Sequence, residues 1–188
     1  MNKIFDTNVI VIFDMEVLSF ELNHKVLVQF SARRFKNNEM THKLDILINE
    51  PYIKLNEDFI KRTRITKKLL ATKGISYQEA LGKIYHFIGN DTLVTYKGNF
   101  YYLHLLWNMF DNKLKNPTID IIDIAQDLKI IHGNPDNISL EDIANSLNIT
   151  FNNQRWHNAS YDVSIIEKIW FKIKSIVRKV EDYEDEDY

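Results

Sequence analysis

No cysteine occurs among the 188 residues. Disulfides, thiolate zinc sites and cysteine nucleophiles are therefore excluded, and any metal must be held by oxygen or imidazole. Proline and glycine are scarce too, at 3 and 5 residues, which leaves no flexible linker between domains. No Gly-rich phosphate loop is present, which argues against a nucleoside-triphosphate motor. Long apolar runs are also missing: Asp14 and Glu16 cut the run NVIVIF long before the roughly 20 residues of a membrane span. These absences predict a soluble, unexported, cytoplasmic chain with no membrane partner. The length suffices for one full core and falls short of two ordinary domains.

What charge is present is unevenly placed. The last eight residues, EDYEDEDY, hold six acids and no Lys or Arg, so the formal net charge of -2 becomes +4 over residues 1–180. The expected organisation is one domain over 1–180 and an acidic tail over 181–188. A mildly basic body permits a polyanionic partner without requiring one.

The apolar pattern predicts a central strand over 8–13, buried on both faces, and two shorter alternating strands over 25–35 and 42–48. A helical pattern runs from Asn56 to about Leu70, and Ser76 with Glu79 caps a second helix. A strand over 92–96, a helix over 99–110 and a strand over 118–124 follow. Ser139 with Asp142 opens a short helix, and Ala159 to about Val180 carries apolar residues at helical spacing. Three strands followed by mixed helices and strands fit an α/β sheet covered by helices.

Two local patterns carry chemistry. Asp14-Met15-Glu16 ends the buried strand, and alternation sends both carboxylates to one side with Met15 opposite. Such acids need a cation or hydrogen-bond partners, and a hard ion such as Mg²⁺ or Mn²⁺ suits oxygen ligands; otherwise the strand has simply run out into solvent. Farther on, His157-Asn158-Ala159-Ser160-Tyr161-Asp162 sets a His and an Asp five apart across the start of the last helix. Taken alone, that pair also fits a surface His and an Asp placed for the helix dipole. Two basic groups, Arg33, Arg34, Lys36 and Lys61, Arg62, Arg64, Lys67, Lys68, could line a groove for a phosphate backbone or form an ordinary solvated face.

Jointly and in this order, D-x-E on a first core strand and H-x-A-x-x-D near the C-terminus resemble the first and third motifs of the DEDDh (DnaQ-like, RNase T-like) 3'-5' exonucleases. TLVTYKGNFYYL and TIDIIDIAQDL resemble that family's middle region, and the likeness covers nearly all of residues 8–178. It implies an RNase H-like mixed five-stranded sheet, three antiparallel strands then two parallel, flanked by helices. It also implies a phosphodiester hydrolase releasing nucleoside monophosphates from the 3' ends of single-stranded DNA or RNA, beside a polymerase or other protein partner. By position, Asp14, Glu16 and Asp162 would be the catalytic metal ligands and His157 the general base. The family uses two Mg²⁺ or Mn²⁺ ions. Aligning Phe100 with the family's Phe puts Tyr101 where the second-motif Asp belongs, so the second ion loses a ligand here. Met15, Phe100, Trp156, Arg33 and Arg34 are the substrate-binding candidates. The alternative is a catalytically impaired exonuclease-like module that binds nucleic acid or protein.

Overall fold

The computed structural model describes residues 5, 7–19, 25–51, 53–98, 105, 114, 120–127 and 138–186, with the backbone alone at 19 and 180–186. Strand β1 (Val9–Ser19) forms the centre of a five-stranded sheet with β2 (Lys25–Lys36), β3 (Glu39–Leu47), β4 (Thr92–Thr95) and β5 (Ile121–Asp123), in the order β3-β2-β1-β4-β5. The first three strands pair antiparallel, and β4 and β5 add in parallel. This is the mixed α/β architecture expected from the sequence.

The strand bearing the acidic pair runs six residues past Phe13, so Asp14 and Glu16 stand inside the sheet instead of on a solvent-exposed end. β-branched residues flanked by a partner strand on each side keep β1 extended. Its alternation sorts the two layers. Ile10 and Ile12 pack in the cluster beneath helix α6 (Ala159–Glu186), while Val11, Phe13 and Met15 pack against helix α3 (Tyr77–Ile88) on the opposite face. Asp14 and Glu16 continue the row of Ile10 and Ile12, which directs them to the α6 face.

Where one helical pattern is expected from Asn56 to Leu70, there are two helices, α1 (Glu57–Thr63) and α2 (Lys67–Lys73). Arg64 breaks them: it caps α1 in the left-handed region at φ 63°, and Thr66 then caps α2 by accepting from the Leu69 amide. Neither glycine nor proline marks that break. Helix α3 starts after Ser76 as expected, a single turn α4 (Ile124–Asp127) follows β5, and α5 (Leu140–Ser146) opens with the Ser139/Asp142 capping box. The helix expected over 99–110 lies outside the described residues apart from Leu105. Helix α6 continues beyond Val180, and the backbone of the acidic segment is helical through Glu186. No helix among the described residues is long and apolar enough to cross a membrane.

Candidate metal centre

The first turn of α6 brings the third acid to the pair on β1. Asn158 accepts from the Tyr161 amide through its side chain, and Gln29 on β2 accepts from the Ala159 amide, 3.1 Å away. Gln29 is the β2 partner of Glu16, so one buried amide docks the start of α6 against the strand pair that carries the acids. Asp162 then stands over Asp14 and Glu16, and each of the three offers an oxygen within 4.8 Å of the others'. They are 9%, 7% and 7% exposed for Asp14, Glu16 and Asp162, too enclosed to be relieved by bulk water.

Burial, joined by the charges of Asp162 and Glu16, holds the Asp14 carboxyl well above its usual range. Burial and Asp162 push Glu16 up to about 7, against the opposing pull of Arg62. Burial likewise raises Asp162 to about 7, although amides of His157 and Asn158 and the charge of Arg64 favour its ionised form. One oxygen of Asp162, Oδ2, accepts from the His157 amide at 3.0 Å, while Oδ1 is buried without a partner. Three converging buried carboxylates, one of them with an orphaned oxygen, are the donor set of a hard divalent ion, and the three residues fit one.

The acids line a cavity of about 410 Å³ together with Val17, Arg62, Tyr96, Lys97 and His157 among others. His157 is exposed at the rim in the left-handed region, φ 60°. The peptide unit before it is fixed from both sides: Arg64 donates to the Trp156 carbonyl at 3.1 Å, and the His157 amide donates to Asp162. Partial burial and then the charges of Arg62 and Arg64 lower the imidazole's pKa, so it is neutral at pH 7 and able to accept a proton. Lys97, which also lines the cavity, is held from behind: Asp123 accepts from the amides of Lys97 and Gly98, setting the turn after β4.

Of the sequence-derived candidates, Asp14, Glu16, His157, Asp162 and Trp156 all line this cavity. Met15 does not: it is buried in the α3-side cluster. Arg33 and Arg34 are not among the lining residues either. Arg33 pairs with Glu167 on α6, and Arg34 with Asp91 and the Phe87 carbonyl, which turns both into struts between elements. Phe100 and Tyr101 lie outside the described residues. Of the basic groups read from the sequence as a groove or a solvated face, Arg62 lines the cavity, and Tyr96 and Lys97, which were not site candidates, line it too, because separate elements deliver them and no local spacing ties them to Asp14.

No protein-family model matches the chain. It is 29% identical over 176 residues to a PolC-type DNA polymerase III of Mycoplasma genitalium and 27% over 173 to that of Mycoplasmopsis pulmonis, covering 90% of this chain in each case. The chain spans 12% of the length of either relative. Among solved structures it resembles the zinc-bound complex of Escherichia coli exonuclease I with single-stranded DNA, at a TM-score of 0.76 and 14% identity over 95% of this chain and 43% of that one. A full-length 3'-exonuclease matches at 0.70 and 18% identity over 94% and 83% of the two chains. The chain has the RNase H-like fold of the DEDD-type exonucleases, and its sequence relatives are PolC-type DNA polymerase III proteins.

Proposed function

We propose that this chain is a metal-dependent 3'-5' exonuclease domain, which hydrolyses the terminal phosphodiester of a single-stranded DNA or RNA and releases a nucleoside monophosphate. The observation that carries this is the convergence of three buried carboxylates in a cavity whose rim holds a neutral histidine. Asp14, Glu16 and Asp162 would hold Mg²⁺ or Mn²⁺. A bound ion of this kind lowers the pKa of a coordinated water and neutralises charge building on the phosphate. The chain's own residues do the rest. His157 takes the proton of the attacking water, the fixed Trp156–His157 peptide aims the ring, and the enclosed floor limits competing water. Trp156 offers an aromatic edge at the rim for the terminal base.

Kinship with a segment of PolC-type polymerases supports a role beside a DNA polymerase, in the cytoplasm. The test is a labelled single-stranded oligonucleotide in Mn²⁺ or Mg²⁺. Stepwise loss of monophosphates from the 3' end is expected, with none from Asp14→Asn or in EDTA. Internal cuts, 5' products or metal-independent cleavage would overturn the reading.

A further inference from the structure

Charge at the cavity does not balance on acids and metal alone. Three ionised carboxylates and one divalent ion leave a net charge of about -1, which would repel the monoanionic phosphate of a chain end. A cation from the protein offsets that charge, and two of the described residues that line the cavity carry one: Lys97, whose ammonium lies over the Tyr96 ring, and Arg62, whose guanidinium suits a phosphate. Arg62 stands on the last turn of α1 and lines the cavity. Its charge is felt by Glu16 on the floor and by His157 on the rim, two other residues that line the same cavity.

Other arginines nearby are committed. Arg33 and Arg34 are in ion pairs, and Arg64 donates to the Trp156 carbonyl. Among the described residues Arg62 has no hydrogen-bond acceptor and no ion pair, so its planar fork of donors is open to the cavity. The helix end that bears it is fixed by a buried hydroxyl: Thr63 donates to the Phe59 carbonyl and accepts from the Ile65 amide. A guanidinium on such a mount reads a phosphate by two parallel hydrogen bonds.

We propose that Arg62 is a phosphate-binding residue of this cavity and holds the phosphate of the terminal nucleotide against the carboxylate floor. The choice of a nucleotide as ligand rests on the exonuclease reading; the assignment of an anion-binding arginine rests on the cavity. The test is calorimetry on the full chain in saturating Mn²⁺, with adenosine 5'-monophosphate, its 2'-deoxy form and the two phosphate-free nucleosides as probes.

Arg62→Ala is expected to weaken monophosphate binding roughly 10- to 100-fold, the range of a charge-assisted hydrogen-bonded contact, and Arg62→Lys to recover part of it. Nucleoside affinity and Mn²⁺ affinity should stay within about twofold of the parent. Equal monophosphate affinity in the parent and Arg62→Ala, equal loss for nucleosides and monophosphates, lost Mn²⁺ affinity, or a parent that binds neither monophosphate would each overturn the assignment. Oligonucleotide cleavage by the parent judges the exonuclease reading separately. A parent that binds monophosphate through Arg62 without cleaving keeps the first and loses the second, and a cleaving parent indifferent to Arg62→Ala does the reverse.

Discussion

Asp162 divides its carboxylate between two tasks, and the division decides what substitutions at the site should do. Oδ2 fixes the His157 amide and Oδ1 is buried without a partner beside Asp14 and Glu16, so under the proposed function metal affinity and base position would share one side chain. Because the His157 contact is through the backbone, the imidazole can be removed without disturbing the ligand. Asn tolerates a positive φ better than Ala, which makes His157→Asn the cleaner variant. It is expected to lower turnover by roughly 10² to 10⁴ with Mn²⁺ affinity nearly unchanged. A large loss of Mn²⁺ affinity in that variant would make the ring a ligand. The raised carboxylates also set a pH dependence. Glu16 and Asp162 titrate near 7 in the folded chain and near 4 when unfolded, so the folded state binds the extra protons between those values. Their contribution is full below about pH 4 and is lost as pH rises through about 7. In EDTA the melting temperature should therefore fall between about pH 5.5 and about pH 8, Mn²⁺ should restore it at the upper end, and Asp14→Asn should flatten the fall. A melting temperature that rises with pH in EDTA would rule out the buried ionised cluster. The acids were legible as a set because the two patterns, in this order, resemble the first and third motifs of one family; alone, the alternate acids on the strand and the acid five from a histidine each fitted a plain surface reading. Arg33 and Arg34 were not legible, since their partners Glu167 and Asp91 lie far along the chain.

Elements place these residues through a few buried polar anchors. Asp123 at the end of β5 accepts from the amides of Lys97, Gly98 and Ala125, so one carboxylate fixes the turn after β4 to the start of α4. The turn is tight enough to require glycine at 98: a Cβ there would stand 1.8 Å from the Thr95 Cγ2, and Thr95 is fully buried. Gly98→Ala is therefore expected to cost about 1–3 kcal/mol of overpacking and to lower the melting temperature by roughly 3–10 °C. Adding Thr95→Ser removes the colliding methyl and should return most of the loss, read by paired thermal melts. No recovery in the double variant would place the strain elsewhere. The strands themselves were legible in the apolar runs, their antiparallel and parallel arrangement only in the family resemblance, and capping residues announced α3 and α5. The break between α1 and α2 was not, because it depends on Arg64 holding a left-handed conformation while its guanidinium reaches the Trp156 carbonyl, a contact spanning 92 residues.

On the scale of the whole molecule, helix α6 links the carboxylate cluster at its first turn to the acidic segment at its far end. Among its described side chains, which end at Lys179, the buried ones run from Ala159 to Lys174, and beyond them Val177 is partly buried against the core. The five acids Glu181, Asp182, Glu184, Asp185 and Glu186 in the last turns of α6 also oppose the macrodipole, which favours cations there. Deleting residues 181–188 should thus leave the melting temperature within about 2 °C or raise it slightly. Distance decides its effect on the site. Nineteen residues separate Asp162 from Glu181, about 28 Å along a helix at 1.5 Å per residue. The Debye length is about 8 Å at 0.15 M salt and about 30 Å at 0.01 M. The acidic end is therefore screened from the cavity under physiological conditions and felt only at low salt. Affinity of the truncated chain for a single-stranded oligonucleotide should match the parent's at about 0.15 M and exceed it at about 0.01 M, measured by fluorescence anisotropy across a salt series. An advantage that persists at the higher salt would mean that the segment reaches the binding surface directly, and screening along α6 would no longer describe it.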